Sequence, residues 1–322
     1  MTRNGIRDAQ RDGPSVNGMD QRSRKFLCVM LRKQRRALIV GALVALASAA
    51  RAGDEPDVAP LPDLHQFLNE VRERLHTDEY LLDQYTFTER HTERHLDSQG
   101  RTEKVIAEVY EVYPSAEPGQ TYRRLVARDG KALDAKELAK EDRKREEKTA
   151  LDSTGTAQLK RLEAKAEARS REQKAVEELF RVYDMAIVGR ELLAGRRTIL
   201  VTFQPRADFE PTTKTGKILK KFTGRAWIDE GDRQVVRVEG DLLDDLSFGF
   251  GILARLRKGA RAELVRRKVN DEIWLPAEAR FIGAARVLLV KTIRLDTLSE
   301  YSDYKKFTVA TESTVKSESK EN

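Results

Sequence analysis

Four residues at alternating positions carry the side chains that a metal site or acid–base chemistry would need: Glu89, His91, Glu93 and His95. Strand parity puts them on one face of an extended segment from Tyr85 to Asp97, with Thr86, Thr88, Arg90, Thr92 and Arg94 on the other. Carboxylates and imidazoles are donors for a divalent cation. On a helix, His91 and His95 would be adjacent. On a strand they lie about 13 Å apart by the strand rise, too far to share one ion. The sequence therefore predicts no metal ligands and a solvated polar face for this strand.

Nucleophilic chemistry finds less support. Ser247 and Ser299 lack the glycine pattern of a nucleophile elbow, and no histidine follows His95. A Ser-His-Asp arrangement stays geometrically conceivable, because a triad is recognised by geometry, but no residue spacing points to one. There is no P-loop, no dinucleotide-binding glycine pattern and no zinc spacing. No cofactor is implied, and no catalytic residue is assigned. Phe248-Gly249-Phe250-Gly251 reads as a bend or bulge that lets a sheet curl. The aromatic set Phe87, Trp227, Phe248, Trp274 and Phe281 has two readings: the wall of an apolar ligand cavity, or core packing under covering helices.

Charge is unevenly placed. The chain has 322 residues and a formal charge of +7. Residues 1–52 carry 11 Lys/Arg against 3 Asp, whereas the remainder carries 49 basic and 50 acidic residues. That near-neutral remainder excludes a general polyanion-binding surface, since nucleic-acid affinity comes mainly from neutralised phosphates. Arg32 to Arg36 followed by the apolar run Ala37 to Ala47 reads as the start of a cleavable export signal. Ala47-Ser48-Ala49 and Ala50-Arg51-Ala52 fit small-x-small cleavage sites. The apolar run is short of the ~20 residues a membrane span needs. The predicted organisation is a signal peptide over 1–52, more typical if translation starts at Met30, then a linker over 53–62, one domain over 63–308 and a disordered tail over 309–322. Cys28 precedes the apolar run, so the exported chain would hold no thiol and no disulfide.

The elements follow from periodicity. Leu64, Phe67, Leu68, Val71 and Leu75 form one helical stripe, with Asp63 as N-cap and Gln66 at the capping-box position. Strands are predicted from Tyr85 to Asp97, Val105 to Tyr113 and Thr121 to Ala127, with turns at Ser98-Gln99-Gly100 and Asp129-Gly130. The charged stretch 131–182 reads as a helical insertion, since 25 of the 50 residues from Lys131 to Phe180 are charged. Its end, Val176, Leu179, Phe180 and Tyr183, is apolar and should dock on the sheet. Strands then follow around Leu193-Ala194-Gly195, a loop spans Pro205 to Lys221, and an antiparallel meander runs from Phe222 to Phe307. Pro276 suits an edge, bulge or strand end, and Gly283-Ala284 is a predicted turn. The fold class is α+β: a curved meander sheet forming an antiparallel half-open β-barrel, with covering helices and a charged helical insertion.

Three phrases carry a resemblance: Val126-Ala127-Arg128-Asp129-Gly130-Lys131, Gly224-Arg225-Ala226-Trp227-Ile228-Asp229, and Tyr301-Ser302-Asp303-Tyr304-Lys305-Lys306-Phe307. With the signal, the leading amphipathic helix and the meander, the chain resembles the periplasmic lipoprotein-sorting carrier superfamily, whose members include LolA, LolB and RseB. It departs from the carriers in lacking their Arg-Pro phrase and in carrying the charged insertion. The resemblance implies a non-enzymatic periplasmic carrier or binder of hydrophobic ligands, an acyl chain or lipid, with a lipoprotein as a further partner. The alternative is a protein-interaction or envelope-stress regulatory module with an envelope protein as partner, and a hydrolase ranks third. No nucleic acid and no transmembrane segment in the mature chain are expected.

Overall fold

A computed structural model describes residues 59–75, 85–114, 121–151, 163, 167, 170, 173–248, 254–287 and 291–306. The export signal over 1–52, Cys28 and the tail over 309–322 lie outside the described residues. All described residues belong to one compact unit, Val40–Asn322.

Helix α1 spans Leu64–Leu75. Asp63 caps it: the Gln66 amide donates to Asp63 Oδ1 at 2.9 Å. The Gln66 side chain turns to Glu70 instead of closing a capping box. Phe67 and Val71 are buried, and Leu68 and Leu75 pack beside them, as the stripe requires.

Three strands follow: β1 (Tyr85–Leu96), β2 (Thr102–Pro114) and β3 (Thr121–Arg128), then the short β4 (Lys131–Ala132). Asp129 and Gly130, with φ of 50° and 78°, make the tight turn between β3 and β4. Helix α2 is Ala135–Leu151. It is held to β3 by polar contacts: Arg124 grips Asp142 with two bonds of 2.6 and 3.0 Å, and Tyr122 Oη donates to the Glu141 carbonyl. A second helix, α3, covers 173–182 and leads directly into β5 (Tyr183–Leu193). As the sequence predicted, Leu179 and Phe180 pack on the sheet.

The rest is β6 (Arg196–Pro205), helix α4 (Lys214–Leu219), β7 (Phe222–Asp229), β8 (Val235–Leu242), β9 (Leu246–Phe248), β10 (Ala254–Leu256), β11 (Arg261–Val269), β12 (Ile273–Val287) and β13 (Lys291–Lys306). α4 sits in the stretch that the sequence reads as loop. Gly283 and Ala284 do not turn the chain: β12 runs through them. The Phe281 ring lies over Gly283, where an added Cβ would stand 2.8 Å from the ring and 2.7 Å from Ala260 Cβ. The glycine is a close-packing position and not a turn. Pro276 lies at a register shift between β11 and β12, one of its predicted places.

The strands form one open, curved antiparallel sheet in the order β4-β3-β2-β1-β13-β12-β11-β8-β7-β6-β5. β1 therefore pairs with the last strand and joins the first three strands to the meander. The meander is not continuous: β8 pairs with β11, and the β9–β10 hairpin leaves the path to pair with β12. The sheet is not a closed barrel.

Helices α1, α3 and α4 lie on one face. Phe67 and Val71 pack on Ile199, Val201 and Ile228. Leu219 packs with Val182, Tyr183, Phe203 and Val238, and the Tyr183 hydroxyl donates to the Leu219 carbonyl at 2.6 Å. Burying such side chains stabilises by roughly 1.5–3 kcal/mol each.

Candidate functional site

Antiparallel register defines two rows of side chains on the helix-covered face. One row reads His91, Ser299, Ala279, Leu264, Val238, Ala226, Val201 and Ile187, crossing from β1 to β5. The next reads Glu93, Thr297, Phe281, Ala262, Gly240, Gly224, Phe203 and Met185. Both rows are polar at β1 and apolar from β12 onward. The middle is small: the Phe203 ring lies over Gly224, which stands opposite Gly240. Val201 and Val238 are buried under the helices, whereas Ala279, Phe281, Ala262 and Leu264 are only half-buried.

At the polar end the predicted solvated face is not observed. Glu89 is 3 %, His91 5 % and Ser299 1 % exposed. The reason lies in the partners. β1 is interior to the sheet, and β3 brings Arg123, whose guanidinium forms an ion pair with Glu89 at 2.8 Å and stacks 3.9 Å from the Tyr110 ring centroid. A buried carboxylate is tolerated when paired in this way. Ser299 Oγ donates to Glu89 Oε1 at 3.3 Å. Ser299 Oγ also lies within hydrogen-bond reach of His91 Nδ1, 2.8 Å away.

The other imidazole nitrogen, His91 Nε2, is buried without a hydrogen bond among the described residues. Glu93 Oε2 stands 4.0 Å from it, and Glu93 Oε1 lies 2.6 Å from His95 Nε2. Burial pushes the Glu93 carboxyl up, but His91 and His95 outweigh it and bring it down to about 2. The Glu93 and His95 side chains keep 23 % and 27 % of their surface, so this end opens to solvent. Among the described residues no group of His, Cys, Asp or Glu has the geometry to hold a metal ion.

The five aromatic wall candidates do not converge. Phe87 is half-buried beside Tyr301 and Tyr304, with ring centroids 6.0 and 5.1 Å away. Phe281 lies on the row described above. Trp274 is buried, donates its indole N–H to Asp232 at 2.9 Å and sits under the Arg196 guanidinium. Trp227 faces the opposite side: it stands opposite Arg237 and Leu200, one residue out of phase with Ala226. There it lies between the Arg225 and Arg237 guanidiniums, 5.2 and 5.0 Å away, and its indole N–H donates to Glu191. Phe248 ends β9, and its side chain lies outside the described residues. Sequence reasoning placed Glu89, His91, Glu93 and His95 on one face but missed Arg123 and the pairing with Ser299, because neither is near them in sequence.

No family model matches the chain, and no curated protein matches it. Solved structures are similar to it. A Vibrio parahaemolyticus domain named for outer membrane lipoprotein sorting has 11% identity and a TM-score of 0.28, covering 78% of this chain and 96% of that one. A LolA superfamily protein from Nitrosomonas europaea has 8% identity and a TM-score of 0.28, covering 76% and 94%. The Pseudomonas aeruginosa MucA/MucB complex gives 11% identity and a TM-score of 0.21, covering 76% and 99%.

Proposed function

We propose that the chain is a non-enzymatic periplasmic binder that lays an acyl chain across the helix-covered face of its sheet. The single observation that carries this is the row from His91 to Ile187: polar at one end, apolar for the rest, and half-buried in its middle. An amphiphile has that same polarity along its length. From β1 to β7 the row crosses five strand spacings, about 24 Å. Each buried methylene contributes about 0.8 kcal/mol, so a chain of ~10 carbons gains on the order of 8 kcal/mol before ordering costs. That suffices for capture and permits release. Phe281 and Phe87 remain proposed wall residues. Periplasmic location rests on the export signal read in the sequence, and among the described residues no helix is long and apolar enough to cross a membrane.

The test is native mass spectrometry and lipid extraction of the full chain purified from its own envelope, followed by binding of the dye N-phenylnaphthylamine. A co-purifying acyl compound, and dye binding weakened at least fivefold by Leu264→Asp, are expected. Absence of both would overturn the reading. A protein partner is the second reading, and one observation favours it: β5 ends the sheet path, with Val188 and Leu192 57% and 62% exposed.

A further inference from the structure

Beyond residue 52 the chain is almost balanced in charge, with 49 basic and 50 acidic residues. Two segments depart from that balance. Residues 246–262 and 279–295 together hold eight Lys/Arg and no Asp or Glu. Register brings them together at one end of the sheet. Phe248, Ala254, Val287 and Lys291 stand in one row across β9, β10, β12 and β13. The connections 249–253 and 288–290 therefore both leave the sheet from that row. One residue behind it, Arg255 stands directly opposite Arg286, and both are exposed. Like charges directly opposite on a sheet repel, and an anion placed over the pair relieves them. Arg294, opposite Ala284, shares the face of Arg286 by strand parity, and Lys291 is exposed in the row itself.

The two connections read Gly249-Phe250-Gly251-Ile252-Leu253 and Leu288-Leu289-Val290, apolar side chains and glycines throughout. Apolar side chains give a nucleic acid or an acidic peptide nothing to bind. A phospholipid surface answers both features, because it places phosphates above hydrocarbon. We infer that this end of the sheet docks on the surface of an anionic phospholipid bilayer. Arg255, Arg286, Lys291 and Arg294 meet the lipid phosphates, and the apolar residues of the two connections enter the head-group boundary. The inference does not depend on acyl-chain binding: it concerns where the protein works and not what it carries.

The experiment sediments the full chain with vesicles of phosphatidylcholine alone or mixed with an equal part of phosphatidylglycerol. Binding to the mixed vesicles should be about tenfold tighter and should weaken as salt is raised. Arg255→Glu with Arg286→Glu should cost about tenfold or more, since each basic residue near such a surface strengthens binding about fivefold. Lys305→Glu, an exposed reversal at the opposite end of β13, should cost far less. Residues 1–52 are common to all these proteins, so their contribution cancels in the comparison. Phe250→Trp reports insertion without disturbing the charges: its emission should shift to the blue on mixed vesicles and be quenched by brominated lipid. Equal binding to both kinds of vesicle would overturn the docking surface, as would equal losses from Lys305→Glu and the double reversal. Polyphosphate binding as tightly as mixed vesicles, or Phe250→Trp without quenching, would overturn the bilayer as the partner.

Discussion

Ser299 and His91 stand 208 positions apart in sequence, yet their side chains meet at 2.8 Å and hold β13 against β1 in the sheet interior. The bond is polar, buried and linked onward to Glu89 and Arg123. Removing the serine hydroxyl strands the imidazole Nδ1 and a carboxylate lone pair together. Ser299→Ala should therefore destabilise by about 1–3 kcal/mol, while Ser299→Thr, which keeps the hydroxyl, should cost less. Urea unfolding of the pair measures this. Equal stability of wild type and Ser299→Ala would show that the network contributes nothing.

Acid stability should report Glu93. Its carboxyl is lowered from 4.5 to about 2 in the folded chain. The unfolded chain takes up the proton first as pH falls, so the associated stabilisation is complete above the unfolded value. It is lost as pH drops from about 4.5 towards 2. Glu93→Gln should flatten the stability profile across that window, removing roughly 3 kcal/mol of pH-dependent stabilisation. An unchanged profile in the variant would refute the assignment.

Close packing sets a third expectation. A Cβ at Gly224 would run into the Glu239 carbonyl oxygen, which is backbone and cannot swing aside, and would stand 2.6 Å from the Phe203 ring. Gly224→Ala should cost several kcal/mol, beyond the roughly 1–3 kcal/mol usual for overpacking. A thermal midpoint equal to that of wild type would contradict the packing.

The charged insertion should be released by one substitution. The described part of α2 meets β3 through Arg124, Asp142 and the Tyr122 hydroxyl. Arg124→Ala should raise amide exchange in α2 while leaving β7 and β8 protected, since the apolar clusters there share no residue with it. Uniform acceleration across the sheet would mean that α2 is coupled to the core.

Local patterns were legible in the sequence and long-range closures were not. The stripe of α1 and the docking end of α3 follow from apolar spacing that any covering surface would satisfy. The shared face of Glu89, His91, Glu93 and His95 follows from strand parity. Whether that face is wet depends on strand order, and β1 lies between β2 and β13, a closure no local pattern encodes. The same holds for Gly283: a glycine beside an alanine has the composition of a turn, and only the Phe281 ring above it reveals a close-packed strand position. Trp227 shows the sharpest limit. One residue of phase decides which face a strand side chain occupies.

That phase supplies the last prediction. Trp227 was a candidate wall residue by type, but it packs between Arg225 and Arg237 away from the helices, with its indole N–H on Glu191 at 2.6 Å. It is only 5 % exposed, with two guanidiniums within cation–π reach of its ring. Trp227→Ala should thus lower stability by about 3–5 kcal/mol, as removal of a buried aromatic does. It should leave dye affinity within about twofold in the folded fraction, while Phe281→Ala, on the row itself, should weaken affinity more than it weakens stability. Opposite behaviour, with Trp227→Ala costing affinity and Phe281→Ala costing none, would move the ligand to the outer face of the sheet.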